Sequence, residues 1–281
     1  MEAVCFAGDQ WVPLRDAGLP LSDLGLRRGY AVFDFLRVTA GVPLFLSKHV
    51  DRFFTSAAEM RLGIPFSPVE IQKMVHQIID FNQLQDAGIR LLLTGGSSPD
   101  GVHLGIPRLF IVHENLVPPA NHLPAAGFHL ITHSFRRQFT KAKTTDYAME
   151  LWLRPMVDNL GANDVLYHQD GFISECPRCN FFVVNRAGQL ITTDKHILHG
   201  ITRATILEIA REIGVDVELR DLHVKEIPLL REAFISSTTK RIIPVSRIDD
   251  VMVPMDGKIT DILYQRFLQR EQAEITNGSA I

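Results

Sequence analysis

The sequence reads as an α+β protein of two domains, and three observations carry that reading. Strand-like and helix-like segments are mixed in both halves, without the regular alternation that builds a doubly wound sheet. A proline-rich stretch, Val117-Pro118-Pro119-Ala120-Asn121-His122-Leu123-Pro124, blocks regular structure near the middle. The 281 residues suffice for two domains of ordinary size. The expected division is 1–120 for the first domain and 121–281 for the second, and no internal repeat is visible.

Taken in order, Phe6-Ala7-Gly8-Asp9-Gln10-Trp11-Val12 mixes short apolar runs with turn residues, and Val32 to Val38 reads as a strand. Ser47 can cap a helix running to about Leu62, with Gly63 as its stop. On that helix His49 and Arg52 are three apart and share a face. The next helix carries a capping box, with Ser67 as N-cap, Pro68 in the first turn and Glu70 three residues on. Ile89 to Leu93 and Arg108 to Val112 are strand candidates separated by a Gly/Ser/Pro loop.

Beyond the prolines, Phe128 to Thr132 reads as a strand and Tyr147 to Leu160 as an amphipathic helix ending at Gly161. Val165 to Ser174 has the pattern of a hairpin around Gln169-Asp170-Gly171, and Phe181 to Val184 that of a strand. Thr202 can cap a helix whose Ile206, Ile209, Ala210 and Ile213 share one face. Ala233 to Ser237 and Arg241 to Val245 are short strands, and Thr260 opens a last helix.

Composition excludes several classes of function. A net charge of -3 gives no electrostatic reason to expect nucleic acid or an anionic membrane as partner. The N-terminal residues lack a basic region followed by a long apolar run, so no signal peptide is expected. No stretch approaches the roughly 18 apolar residues of a membrane span. Three cysteines make a disulfide framework unexpected, and the default compartment is a reducing cytoplasm.

Two cysteines form a Cys-x-x-Cys, Cys176-Pro177-Arg178-Cys179, which is a redox or metal candidate. A structural zinc site needs about four ligands and no second cysteine pair exists, so no metal is expected. A thioredoxin-like site should open a helix, whereas Phe181-Phe182-Val183-Val184 predicts a strand. A thiol redox protein remains the reading from a different class. Gly95-Gly96-Ser97-Ser98-Pro99-Asp100-Gly101 lacks the Gly-Lys-Ser/Thr ending of a phosphate loop and reads as a connection.

The remaining chemistry lies in an ordered set of motifs. Lys143 stands in Thr140-Lys141-Ala142-Lys143-Thr144-Thr145-Asp146-Tyr147 and is followed by Glu175, Asn180, Gly200-Ile201-Thr202-Arg203 and Ser237-Thr238-Thr239. An amine for an aldehyde, a carboxylate for a ring nitrogen and a helix start for a phosphate describe a pyridoxal-phosphate site. Upstream stand Arg28-Gly29-Tyr30-Ala31-Val32-Phe33-Asp34 and His49-Val50-Asp51-Arg52-Phe53, and downstream Pro244-Val245.

In this order the motifs resemble the class IV, or fold-type IV, pyridoxal-phosphate aminotransferases. That family includes branched-chain aminotransferases, D-amino acid aminotransferases and aminodeoxychorismate lyase. The likeness runs from about Gly25 to Val245. It implies a two-domain fold like that of D-amino acid aminotransferase, with a smaller α/β N-terminal domain and a larger C-terminal pseudo-barrel domain. It implies Lys143 as the Schiff-base lysine and pyridoxal 5′-phosphate as cofactor. Arg52, Tyr147, Glu175, Asn180, Ile201, Thr202, Thr238 and Thr239 are then cofactor-binding residues. Phe33 falls in the segment that lines the substrate pocket.

The sequence also departs from the family pattern. Asp146 replaces an Asn, Pro177 replaces a small residue, and Thr94-Gly95-Gly96 stands where many members have Ser/Thr-Arg-Gly. Gly95 removes a ready carboxylate anchor, and Arg28, Arg137 and Arg178 are the candidates to replace it. The resemblance implies an aminotransferase moving an amino group from an amino acid, branched-chain first, to a 2-oxo acid. A lyase of the aminodeoxychorismate type is the alternative within the family, and a cytoplasmic homodimer is the implied assembly.

Overall fold

Strands with an apolar face and two amphipathic helices build the first of two units in the computed structural model, which describes residues 2–255 and 257–278. This unit contains the chain up to Pro118, Lys141–Asp146 and the chain from Glu271. The second contains Pro119–Thr140 and Tyr147–Arg270. Both are discontinuous, whereas the prolines predict a single division after residue 120. Lys141–Asp146 leaves the second stretch because Thr144 forms an antiparallel bridge with Val32. Glu271 leaves it because its carboxylate pairs with the buried guanidinium of Arg37.

In the first unit the strands are β1 (Val4–Gly8), β2 (Gln10–Pro13), β3 (Ala31–Thr39), β4 (Val42–Pro43), β5 (Ala87–Thr94) and β6 (Arg108–Glu114). Their order is β2-β1-β6-β5-β3-β4, with every neighbour antiparallel. Three helices accompany them: α1 (Leu24–Arg28), α2 (Leu46–Glu59) and α3 (Pro68–Asn82). The core joins Val50 and Phe53 of α2 and Ile71, Val75 and Ile78 of α3 to Leu36, Ile89 and Leu91 of the sheet. Each such side chain contributes about 1.5–3 kcal/mol by leaving water.

The capping box of α3 forms as expected, with Ser67 Oγ accepting from the Glu70 amide and Glu70 Oε2 from the Ser67 amide. The expected cap of α2 does not. Leu46 opens that helix after Phe45, which has a positive φ of 53° and donates its amide to Glu274 Oε2 at 3.2 Å. A tertiary bond, rather than the Ser47 hydroxyl, sets this helix start.

In the second unit the main strands are β7 (Phe128–Ser134), β8 (Asp164–Gln169), β9 (Phe172–Ile173), β10 (Glu175–Cys176), β11 (Cys179–Val184) and β12 (Leu190–Thr192). They continue with β13 (Val217–Leu219), β14 (Leu222–His223), β15 (Glu232–Ser237), β16 (Arg241–Ile248) and β17 (Val251–Met252). Among the described residues the sheet order is β13-β12-β11-β15-β16-β7-β8-β9-β14, with β10 on β11 and β17 on β16. The β16–β7, β7–β8 and β12–β13 pairs are parallel, and the sheet is mixed.

Helices α4 (Ala148–Asn159), α5 (Ile201–Glu212) and α6 (Lys258–Gly278) complete the structure, α6 ending in the first unit. Leu153 and Val157 of α4 cover Ile131, Val165 and Tyr167. A second core joins Leu130, Phe181, Val183, Ile235 and Ile248. Glu232 of β15 accepts from the amides of Ile259 and Thr260, placing a carboxylate at the positive start of α6.

Candidate active site

Asp34 lies in the middle of β3 with no exposed surface, and a carboxylate so placed needs partners. Helix α2 supplies them from one face. Arg52 donates from Nε to Asp34 Oδ2 at 2.7 Å and from Nη2 to Oδ1 at 2.8 Å. His49 Nδ1 lies 2.7 Å from the same Oδ1. Burial alone would raise the Asp34 carboxyl, but the charges and hydrogen bonds of Arg52 and His49 override it and hold the group well below the usual range. Burial pushes the His49 imidazole below its usual value, against the pull of Asp34.

Lys143 belongs to the same unit, and its backbone is fastened at several points. Its carbonyl accepts from the Phe33 amide at 2.8 Å, and its amide donates to Ser56 Oγ at 3.1 Å. Thr145 N–H bonds Ala31 O at 3.2 Å, so the segment follows the start of β3. The half-buried Lys143 places Nζ 4.6 Å from the centre of the Phe33 ring, where a cation meets the negative face of an aromatic.

Two other predicted residues of this unit do not join that cluster. Arg28 is exposed at the end of α1 and bonds the Arg27 carbonyl. Gly95 donates to Tyr30 O and accepts from Gly105 N. A Cβ added there would sit 3.1 Å from Leu24 Cβ and 3.3 Å from Tyr30 Cδ1. The packing of α1 over this strand end therefore favours glycine and resists a long side chain.

In the second unit the β10–β11 hairpin makes Glu175 and Asn180 direct register partners. Glu175 is buried, and its two oxygens meet four donor contacts. Arg137 reaches Oε1 from Nε at 2.9 Å and from Nη2 at 2.7 Å. Leu198 N–H and Asn180 Nδ2 reach Oε2 at 3.0 and 3.3 Å. Asn180 Nδ2 also donates to Leu198 O at 2.8 Å.

The same Asn180 faces the start of α5. A Cβ on Gly200 would overlap Asn180 Oδ1, although the Gly200 φ of -67° suits any residue. Gly200, not Thr202, is the N-cap, and it offers no side-chain cap to the first amides of the helix. Ile201 and Thr202 begin α5 and are buried.

Tyr147 is the N-cap residue of α4, and burial pushes its phenol up to about 12. Thr238 and Thr239 are half-buried in the turn from β15 to β16. Arg178 is 55% exposed in the β10–β11 turn and pairs with Glu150 at 2.8 Å, away from Glu175. Cys176 and Cys179 face each other across that hairpin as buried free thiols, and burial raises both. They are poor in thiolate, which weighs against thiol redox chemistry as the chain's function. Among the described residues no group of three or more His, Cys, Asp or Glu could hold a metal ion. No described helix is long and apolar enough to cross a membrane.

Residues 31–248 match the family described as amino-transferase class IV. The chain belongs to the class IV aminotransferases. It is 30% identical over 275 residues to a protein of Methanocaldococcus jannaschii named, provisionally, as a branched-chain-amino-acid aminotransferase, covering 93% of this chain and 94% of that one. It is 29% identical over 279 residues to the D-alanine aminotransferase of Listeria monocytogenes, covering 92% of each chain. The branched-chain amino acid aminotransferase from Escherichia coli has the same fold, with a TM-score of 0.87, 25% identity and coverage of 98% and 96%. The two-domain, fold-type IV architecture expected from the motifs is the architecture found.

For a class IV aminotransferase, several neighbours of the predicted residues were not legible beforehand. Asp34 closes the Arg28–Asp34 motif, which by itself gives it no place in the site. A lone charge inside Val32-Phe33-Asp34-Phe35-Leu36 was nevertheless a signal, because a buried strand tolerates it only with partners. Ser56 and the Leu198 backbone carry no such signal, since both act through tertiary bonds. Arg137 was a candidate substrate anchor, and the structure places its guanidinium on Glu175.

Proposed function

We propose that this protein transfers an amino group from an amino acid, a branched-chain one foremost, to a 2-oxo acid. Pyridoxal 5′-phosphate is the proposed cofactor and Lys143 the amine that bonds it. The observation that carries the reading is the buried carboxylate of Glu175, fixed by Arg137, Asn180 and Leu198 beside the uncapped start of α5. A fixed carboxylate suits a protonated ring nitrogen, and free amides at a helix start suit a phosphate. Ser236, the register partner of Asn180, has a buried Oγ without a hydrogen-bond partner among the described residues. A hydroxyl left so is what a polar ligand would satisfy, and the residues fit the group.

When bound, the cofactor supplies an aldehyde for a primary amine and a ring that draws electrons from the substrate carbon. Lys143 Nζ would supply the resident amine and would take and return the substrate proton. Phe33 shields Nζ from water on one side and offers an apolar surface to the donor side chain. Arg52 gives two donors to Asp34 and keeps Nη1 for a phosphate oxygen. Within the second unit, the Ile201 and Thr202 amides and the Thr238 and Thr239 hydroxyls are hydrogen-bond donors suited to a phosphate. Tyr147, whose phenol stays protonated at neutral pH, is a hydrogen-bond donor to the ring oxygen.

Similarity to relatives named for branched-chain amino acids and for D-alanine supports two donor classes. The apolar Phe33 beside Nζ favours the first. The two units stand as the two domains in this reading, and three free cysteines agree with a cytoplasmic setting. A homodimer follows from the resemblance alone, and sedimentation would test it.

The experiment is a visible spectrum of the purified protein incubated with pyridoxal 5′-phosphate, before and after borohydride. The expected result is a visible band that borohydride removes, with the reduced cofactor found on Lys143 by mass spectrometry and absent in Lys143→Ala. No band at saturating cofactor would overturn the reading. Branched-chain L-amino acids compared with D-alanine as donors then decide the substrate.

A further inference from the structure

Arg137 is the residue whose geometry reaches beyond that assignment. Its side chain is 15% exposed and that of Glu175 only 6%, so this ion pair is not a solvated surface contact. The guanidinium is also fastened from behind. Nη2 donates to Thr140 O at 3.0 Å and Nη1 to Phe139 O at 3.3 Å. A fork committed to Glu175 and two carbonyls is poorly placed to reach out for a substrate carboxylate. Both guanidinium contacts fall on Oε1, while Oε2 takes the neutral donors of Leu198 and Asn180.

A full positive charge at 2.7 Å in a buried site stabilises the ionised carboxylate strongly. Whatever hydrogen-bonds to Glu175 therefore meets a carboxylate whose charge is already shared with a guanidinium. Resting on the pyridoxal-phosphate reading above, we infer that Arg137 is a positioning residue that sets how tightly Glu175 retains the ring-nitrogen proton of the bound cofactor. It fixes the direction of Oε1 and tempers the charge of the pair, so that the ring nitrogen releases its proton at lower pH than it would beside Glu175 alone. Among the described residues, Tyr147, Cys176 and Arg203 also feel the Glu175 charge. They stay unchanged in the variants below, so the readout isolates Arg137.

The test uses the full chain loaded with pyridoxal 5′-phosphate labelled with nitrogen-15 in the ring, whose chemical shift reports protonation of that nitrogen directly. Arg137→Gln keeps hydrogen-bonding capacity but removes the charge, and its titration midpoint should rise by about one pH unit or more. Arg137→Lys keeps the charge and should titrate within a few tenths of a unit of the wild type. Equal midpoints in wild type and Arg137→Gln would overturn the inference. So would an unshifted ring titration with KM for the amino donor raised in both variants, which would mark Arg137 as the substrate anchor. A wild type that takes up no labelled cofactor would instead sink the functional reading itself, a separate outcome.

Discussion

Asn180 occupies the space that a side chain on Gly200 would need. The glycine is required by that approach and not by its backbone angles, which any residue could adopt. The amide that bonds Glu175 and the turn that opens α5 are therefore packed as one piece. Gly200→Ala should displace Asn180, destabilise the protein by about 1–3 kcal/mol in urea titrations and weaken cofactor uptake more than tenfold. Cofactor affinity unchanged in a folded Gly200→Ala protein would contradict this.

The Asp34 carboxylate serves Arg52 and His49 at once. Asp34→Asn removes the charge while leaving two buried donors facing an amide, at a cost of about 3 kcal/mol. Denaturant unfolding measures that loss, and an inorganic phosphate titration of the apoprotein should show weaker protection by the anion. A variant as stable as the wild type would show that the pair adds no net stability.

Acid should weaken the fold in two steps whose signs follow from burial. His49 is depressed in the folded state, so its contribution is complete above the unfolded value of about 6.5 and is lost as pH falls towards the folded value. His113, depressed by burial, acts in the same direction. Asp34 is also depressed, and its contribution is lost only below about pH 4. Unfolding free energy should thus be greater at pH 8 than at pH 5.5, and His49→Gln should narrow that difference. An unchanged difference would remove His49 from the explanation.

Cys176 and Cys179 should be slow to react in the folded protein. Iodoacetamide labelling, followed by mass spectrometry, should be at least about a hundredfold slower at these two thiols than in urea. A Cys176→Ala/Cys179→Ala protein should retain most of its amino-transfer activity. Loss of that activity in a stably folded double variant would restore a functional role to the pair.

What the sequence revealed was greatest where a motif and its local structure coincide. Ser67, Pro68 and Glu70 predict the start of α3 because both bonds of that capping box lie within one turn. Ser47 and Thr202 do not cap their helices: the Phe45 amide before α2 bonds the distant Glu274, and α5 opens at Gly200, against which Asn180 packs. The motif singles out Lys143 as the proposed amine. Its anchoring to Ser56 and Phe33 was not legible there, since those bonds connect residues 87 and 110 positions apart in the chain. Arg137 belonged to an unresolved choice among three arginines, and only the packed structure separates it from the exposed Arg28 and Arg178.

The hairpin that carries Glu175 and Asn180 makes their spacing a matter of parity. The two residues are cross-strand partners only because four residues, Cys176 to Cys179, lie between them. Adding or deleting one would send Asn180 to the opposite face of the strand and uncouple it from Glu175. Of the intervening residues Cys176 and Cys179 are packed into the core, whereas Pro177 and Arg178 turn the chain. The carboxylate thus depends on the parity of a two-residue turn, which Cys-Pro-Arg-Cys satisfies while its two thiols fill the core beneath.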